Sequence, residues 1–242
     1  MYTLIVASAF AISPYSYDAL IVTLEENKAH RSLRLAKDAP NIPISAYQLA
    51  AQGQVATGVD GSSGSGPQKG WGVAVFPLNI KQIWAGVNDE FANSDYSPVS
   101  YTAIVGGQRC QEHRTVTMVL PLPIISDRWW MIDLRTNPQL AQASGGRMQE
   151  LSWKEVRDPT QYTLDAKTKE LIDGQVYVDF SRGAWFLMAL DEHHTLGEYY
   201  SWADPGGYIP DGATAFAASS IVDTFKGMEA FTIEAPKLQC LK

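Results

Sequence analysis

Residues 195–231 constrain the fold most, because a strand pattern changes there abruptly into a helix pattern. Residues 196–203 alternate between two sets of side chains, and a period of two predicts a β-strand. Asp204-Pro205-Gly206-Gly207 ends the strand, since proline fixes φ and glycine accepts backbone angles that other residues avoid. Apolar residues then recur every three or four positions up to Phe231, which predicts a long amphipathic helix. The rest of the chain must cover the broad apolar face of this helix.

The chain before residue 195 consists mainly of short predicted strands. A helix is predicted at residues 80–88, whereas strands are predicted at residues 71–76, 99–105, 109–120, 129–136, 149–156, 175–180 and 184–190. Because the strands follow one another and the long helix comes last, the sequence predicts an α+β fold whose sheet wraps the C-terminal helix. No linker divides residues 67–235, so one domain is expected over this range.

The first 66 residues differ in composition from the strand-rich part that follows. Residues 17–37 are rich in Leu, Ala, Glu, Lys and Arg, and this composition predicts a helix. Residues 47–59 are predicted to form a pair of strands. Residues 58–66 are rich in glycine and serine and are predicted to form a flexible loop.

An apolar run at residues 2–12 is too short to span a bilayer as a helix. Ala9-Phe10-Ala11 matches the small residues of a signal-peptidase site, but no Lys or Arg precedes Lys28. Two interpretations stay open, a remnant of a signal peptide or an apolar segment that packs on the domain. The first is preferred, so a secreted or periplasmic location is expected, with a cytoplasmic location as the alternative.

The overall charge excludes one class of partner. The chain has 19 basic and 26 acidic residues, a net charge of −7, and no run of like charge. A nucleic-acid surface needs a concentration of Lys and Arg, and none is present. Hydrophobic residues make up 45% of the sequence, which is enough to bury a sizeable core.

The sequence contains no coherent set of residues for metal, cofactor or nucleophilic chemistry. His193 and His194 lie in a predicted turn without a third ligand at a suitable spacing, so no metal site is expected. Residues 58–66 lack the Lys-Ser/Thr of a phosphate-binding loop, no Gly-x-Ser-x-Gly elbow is present, and no cofactor is expected. Cys110 and Cys240 either form one disulfide in an oxidising compartment or are two unrelated thiols.

Several segments resemble START (StAR-related lipid-transfer) domains. Residues 120–128, LPLPIISDR, are similar to the LPxPLSxRD segment of that family, and residues 183–187 and 199–210 are similar to its closing strands and its DxGGxIP turn. The match covers roughly residues 70–233, although Trp129-Trp130 stands where the family usually has Asp-Phe. The wider relatives are the helix-grip, Bet v 1-like (SRPBCC) proteins, which include polyketide cyclases and share a fold rather than a chemistry.

The resemblance implies an α+β helix-grip fold, a curved antiparallel sheet wrapped around a long C-terminal helix and a hydrophobic tunnel. The expected division is a signal-peptide remnant at residues 1–11, an N-terminal helix and Gly/Ser-rich loop at residues 12–66, a START-like ligand-binding domain at residues 67–235 and a tail at residues 236–242.

The resemblance also implies a set of ligand-binding residues. START relatives commonly place an acidic residue on one strand opposite an arginine on the next, and Glu112 and Arg135 are the nearest positions here. Such a buried pair would orient a ligand hydroxyl or headgroup, whereas on the outer face of the sheet it would be a surface ion pair. The apolar wall is expected to contain Met118, Met131, Trp185, Leu187, Tyr199, Phe216, Ile221, Phe225 and Met228.

Three functions compete. The preferred one is non-enzymatic binding, with transfer, of a lipid or another hydrophobic small molecule, by a monomer that contacts membranes transiently. The alternative is a polyketide cyclase or aromatase-like enzyme, which needs acid and base groups inside the cavity. Its candidate residues are Glu112, Arg135, Glu198 and Tyr199. A third interpretation, a structural or partner-binding domain with a filled core, requires that no cavity exists.

Overall fold

An open, curved antiparallel sheet organises the fold in the computed structural model. The structure describes residues 3–6, 14–60, 67–91, 99–122, 125–204, 206, 213–234 and 240, and side chains for all of these except residues 3–6, 68, 213–219 and 234. The strands are β1 (Thr3–Val6), β2 (Ala56–Asp60), β3 (Gln68–Phe76), β4 (Tyr101–Gly106), β5 (His113–Leu120), β6 (Arg128–Thr136), β7 (Met148–Glu155), β8 (Val176–Tyr177), β9 (Phe180–Ala189) and β10 (Thr195–Asp204).

The strand order is β1-β2-β3-β10-β9-β7-β6-β5-β4, with the short β8 added in parallel beside β6. The last strand therefore lies between β3 and β9, and it pairs with both over most of its length. The described helices are α1 (Tyr17–Glu26), α2 (Lys28–Arg31), α3 (Ile44–Ala51), α4 (Ile80–Val87), α5 (Pro138–Ala143), α6 (Ala166–Ile172) and α7 (Ala213–Glu234).

The two faces of the sheet build two separate cores, because successive residues of a strand point to opposite faces. The inner face, which carries Trp185 and Leu187, packs against α4 and α7. The outer face, which carries Phe186 and Met188, packs against α1 and α3, with α5 beside β7. The predicted α+β helix-grip architecture is thus confirmed, with additional helices on the outer face.

The helix predicted at residues 80–88 is confirmed as α4, and its boundaries follow from its sequence. Asn79 accepts a hydrogen bond from the backbone N–H of Gln82, while the Gln82 side chain accepts one from the Asn79 N–H. This reciprocal arrangement satisfies donors that the first turn of a helix leaves without partners. Ile83 and Val87 lie one turn apart on the same face and are buried in the inner core.

Two arginines, at the end of α2 and just after it, connect the N-terminal part of the chain to the outer face. Arg31 and Arg34 each donate to Glu198, over 2.7 and 2.8 Å, and their guanidinium groups lie 4.9 and 4.3 Å from the centre of the Phe186 ring. The Tyr47 hydroxyl donates to the same carboxylate over 2.9 Å. Burial alone would raise the pKa of Glu198, but the two arginines lower it below its usual range, so the carboxylate stays ionised.

A second buried carboxylate ties the segment after α2 to the same face. Glu150 accepts hydrogen bonds from the backbone N–H groups of Leu35 and Ala36 and from the Asn137 side chain. Its side chain is fully buried, so these donors replace the water that the carboxylate loses on folding. Residues on both sides of the predicted boundary between 66 and 67 thus contribute to one sheet and one outer core, while the division into domains stays a prediction.

The prediction of two strands at residues 47–59 was wrong in its first half. Residues 44–51 form α3, and only residues 56–60 form a strand. Ala46 and Ala50, which lie one turn apart, are fully buried together with Tyr47 in the outer core, and alanine is the strongest helix former. Strand β2 pairs with β3, which follows it closely in sequence, and with β1, which is about 50 residues earlier.

The strand predicted from residue 109 begins only at His113. Cys110 has a positive φ of 65°, and residues 107–111 form turns. The chain becomes extended only at His113, which pairs with Arg135 of β6. Of the segment predicted as a signal-peptide remnant, Thr3–Val6 pairs with β2, and the other residues lie outside the described part. Of the predicted turn at residues 204–207, residues 205 and 207 also lie outside the described part.

Helix α7 approaches the sheet closely over β3, where two glycines face it. A Cβ at Gly72 would lie 2.7 Å from both Ile221 Cγ2 and Phe225 Cε2, and a Cβ at Gly70 would lie 2.8 Å from Ile221 Cδ1. Real Cβ atoms essentially never make contacts this short. The two glycines therefore set how closely the helix packs on the sheet.

We expect the Gly72→Ala substitution to lower the free energy of unfolding by about 1–3 kcal/mol, because the added methyl group overpacks a filled core. Gly70→Ala is the matched control, since its methyl group meets only the mobile end of Ile221 and should cost less. Urea unfolding of both variants measures the difference. Equal losses would show that the space over Gly72 does not limit the position of α7.

Candidate functional site

A cavity of about 280 Å³ lies between the inner face and helix α7. Its lining is mostly apolar and comes from both the sheet and the helices. The apolar lining residues are Val87, Val99, Met118, Leu120, Trp130, Ile132, Leu134, Leu151, Trp153, Val178, Trp185, Tyr199, Ala203 and Met228. Polar lining is supplied by Glu90, Arg128, Ser181, Ser201, Ser220 and Thr224. The interpretation as a domain with a completely filled core does not fit this geometry.

Aromatic side chains form one wall of the cavity. Trp153 and Tyr199 lie 5.7 Å apart between ring centres, and Tyr199 lies 4.8 Å from Trp185. Behind them, Phe225 of α7 contacts Trp185 edge to face at 4.9 Å. These spacings are those of favourable tilted and edge-to-face ring contacts. Burial raises the pKa of Tyr199 to about 12, so its hydroxyl stays protonated near neutral pH.

The ring of Trp153 lies over a glycine of the neighbouring strand. A Cβ at Gly183, the residue opposite Trp153 on β9, would lie 2.1 Å from Trp153 Cζ2 and 2.3 Å from the Tyr200 carbonyl oxygen. The indole ring thus occupies the space that a side chain at this position would fill. Any larger residue there would displace part of the aromatic wall.

A buried ion pair borders the cavity beside α4. Arg114 Nε donates to Glu90 Oε2 over 2.8 Å, and both side chains are fully buried. Arg114 also donates to the Gln111 and Asn88 carbonyl oxygens and to Asn88 Oδ1. Burial lowers the pKa of Arg114, with the charge of Glu90 opposing this effect. The guanidinium group is held by several fixed acceptors in addition to its ion pair.

The two carboxylate oxygens of Glu90 differ in their hydrogen bonding. Glu90 Oε1 is buried and has no hydrogen-bond partner among the described residues, and the residue lines the cavity. A carboxylate oxygen left without a donor in an apolar environment is costly. A ligand that donates a hydrogen bond to Oε1 would remove this cost.

A disulfide fastens the chain after α7 beside this ion pair. Cys110 and Cys240 are bonded, which resolves the question that their spacing left open. Asn88 connects the disulfide to the ion pair, because its side chain donates to the Cys110 carbonyl oxygen and accepts from Arg114. The neighbouring Asp89 accepts two hydrogen bonds from Arg109. Residues 88–90 are therefore bonded both to the turn at residues 109–110 and to Arg114 of β5.

Four of the residues that the sequence placed in the ligand-binding set line the cavity, namely Met118, Trp185, Tyr199 and Met228. Leu187, Ile221 and Phe225 belong to the same inner core without lining the cavity. Phe216 lies in α7, and its side chain is outside the described residues.

The other three predicted residues are not at the cavity. Glu112 precedes β5 and is exposed, and the buried pair expected between Glu112 and Arg135 is not formed. Arg135 is half exposed and binds Asp133 instead. Met131 and Arg135 point to the outer face, because the lining residues of β6 are the even-numbered ones from Arg128 to Leu134. The period of two separates the faces of a strand but does not tell which one is inner.

The acid and base residues suggested for a cyclase are not assembled in the cavity. Glu198 lies on the outer face with Arg31 and Arg34, and Glu112 and Arg135 lie away from the cavity lining. Of the four candidates, only Tyr199 lines it.

Sequence reasoning missed Glu90 and Arg114. A signal existed for Arg114, because it shares the alternation of Val116 and Met118 on β5. In the sequence Glu90 stands in a polar stretch after α4, and only the fold brings it to Arg114, 24 residues further along. Among the described residues there is no cluster of His, Cys, Asp or Glu that could hold a metal ion. No described helix is both long and apolar enough to cross a bilayer.

No protein-family model and no curated protein match this sequence. Solved structures do match. The fragment of the STAR-related lipid transfer protein from Xanthomonas axonopodis is 18% identical with a TM-score of 0.56, over 74% of this chain and 93% of that one. Human STARD10 is 12% identical with a TM-score of 0.62, over 89% and 81% of the two chains. Human StAR-related lipid transfer protein 5 is 12% identical with a TM-score of 0.59, over 90% and 99%.

At these identities the likeness concerns the fold. It agrees with an open, curved antiparallel sheet that has a long C-terminal helix on its inner face. The chain therefore has the helix-grip fold of the START domains.

Proposed function

We propose that this chain binds one hydrophobic small molecule, such as a lipid, in the cavity between the inner face and α7, and carries it. The observation that supports the proposal most is an apolar cavity bordered by a buried carboxylate with one oxygen unpartnered among the described residues. Small-molecule sites combine these two elements, a mostly apolar lining and a few polar groups that fix orientation. The likeness to lipid-transfer proteins points to the same class of ligand.

The polar group at this end of the cavity selects for a hydrogen-bond donor. Arg114 donates through Nε to Glu90 Oε2 and through its two Nη atoms to Gln111 and Asn88, so Glu90 Oε1 is the carboxylate oxygen that has no donor among the described residues. A ligand hydroxyl or amine would donate to it and a ligand carboxylate would be repelled. The proposed ligand is therefore a neutral or basic amphiphile with a donor at one end.

The disulfide supports a proposal on location. Cys110 and Cys240 are 130 positions apart and form a bond that a reducing cytosol would not maintain. We therefore propose that the chain works in an oxidising compartment, secreted or periplasmic.

The binding proposal predicts that purified protein releases a hydrophobic compound on solvent extraction and takes up a fluorescently labelled fatty alcohol saturably. Glu90→Gln should weaken the uptake of the alcohol by roughly ten- to a hundredfold, because a charge-assisted hydrogen bond is lost. Mass spectrometry of the extract and fluorescence titration of the folded variant provide the measurements.

Glu112→Gln is the matched control, since Glu112 is exposed and does not line the cavity, and it should bind like the wild type. The methyl ether of the labelled alcohol should bind wild type and Glu90→Gln about equally. A wild-type protein with neither extractable compound nor saturable uptake would rule out the proposed function.

A further inference from the structure

We infer that the cavity selects a planar aromatic ring system that carries one hydrogen-bond donor, in preference to an acyl chain. The inference rests on the proposed function and names the ligand class for the same cavity. The composition and packing of the cavity wall lead to it.

The aromatic lining is concentrated on neighbouring strands. Trp130, Trp153, Trp185 and Tyr199 come from β6, β7, β9 and β10, which are adjacent in the sheet in that order. An acyl chain would gain from such a wall only by burying area. A planar ring also gains from offset or edge-to-face contacts, each of which strengthens an interaction by roughly twofold to tenfold beyond the buried area.

Two rings of the wall are packed against other residues of the protein. Trp153 occupies the space over Gly183, and Trp185 is held between Tyr199 and Phe225 at 4.8 and 4.9 Å. Binding against rings that are already fixed does not require side chains to be ordered, which is a major cost of association. A rigid flat ligand adds little ordering cost of its own, whereas an acyl chain has to lose its rotational freedom.

The rest of the cavity fits one compact molecule. Its volume of about 280 Å³ is near the lower end for small-molecule pockets. Met118 and Met228 line it elsewhere, and methionine adapts to irregular shapes while making favourable contacts with rings. Glu90 Oε1 then accepts the hydrogen bond of a ring hydroxyl or amine.

Three probes with equal numbers of heavy atoms and one hydroxyl each test the inference, namely naphthol, the saturated bicyclic decalol and the linear decanol. We expect calorimetric titration of the wild type to give a Kd for naphthol about tenfold lower than for either of the others. Equal or tighter binding of decalol or decanol would overturn the inference and leave the proposed function standing. If none of the three binds but the protein releases an extractable hydrophobic compound or takes up the labelled fatty alcohol, the inference alone fails. If neither is observed, the proposed function fails with it.

A pair of variants tests the wall itself. Trp153→Leu should weaken naphthol binding about tenfold while changing decanol binding by no more than about twofold. Trp202→Leu, on the outer face beside Phe180, should leave all three affinities unchanged. Equal weakening of naphthol and decanol by Trp153→Leu would show that this ring contributes area and not ring recognition. Should Trp153→Leu not fold, the comparison of probes on the wild type decides.

Discussion

Arg114→Met is expected to lower the free energy of unfolding by about 3–5 kcal/mol, because removing one partner of a buried ion pair leaves an uncompensated charge. Glu90 would keep its charge with no cation beside it, and the Asn88 and Gln111 carbonyl oxygens would lose donors. The Arg114 and Glu90 side chains are both fully buried, which makes the uncompensated charge costly. Urea unfolding followed by circular dichroism measures the change.

Two further variants separate the buried charge from the loss of packing. Arg135→Met removes an arginine from the adjacent strand whose side chain is half exposed and paired with Asp133, and it should cost no more than about 1 kcal/mol. The double variant Arg114→Met with Glu90→Leu should recover much of the lost stability, since a buried pair replaced by apolar groups of similar volume is often neutral. A double variant as unstable as Arg114→Met would show that packing, rather than charge, dominates at this site.

Replacing both Cys110 and Cys240 by alanine is expected to lower the free energy of unfolding by about 3–5 kcal/mol. The disulfide joins positions 130 residues apart, so its removal restores freedom to a large part of the unfolded chain. It also releases the segment after α7 from the turn that contains Cys110. Guanidinium unfolding with and without a reducing agent is the measurement.

The control is to add the reducing agent to both the wild type and the double alanine variant. Reductant should bring the unfolding midpoint of the wild type to that of the variant and leave the variant unchanged, because the variant has no cysteines left to reduce. An oxidised wild type no more stable than the variant would mean that the bond does not hold the native structure together.

The sequence predicted the last strand and the last helix well, because both have a long and uninterrupted period. Alternation over β10 and the three- and four-residue spacing of α7 are local properties, and the structure confirms both elements. Trp185 and Tyr199 could be assigned to the cavity because the family resemblance added what periodicity lacks, namely the face that turns inward.

The errors have a common physical origin in contacts between distant parts of the chain. Met131 was assigned to the wrong face because alternation is symmetric, and the choice depends on which helix covers which side. Glu90 looked like an ordinary loop residue, since its partner Arg114 approaches it only in the folded chain. Helix α3 was taken for a strand because its burial depends on the outer core, which involves strands far away in sequence.

Strand β9 cannot easily gain or lose a residue, because both of its faces are used. Its odd-numbered residues, such as Trp185, face the inner core, and its even-numbered residues, such as Phe186, face Arg31 and Arg34 on the outer side. A single residue inserted into β9 would reverse the face to which each later residue of that strand points. The two sets of side chains would then exchange faces. Evolution can therefore alter the loops of such a protein by one residue at a time, but its shared strand only by substitution.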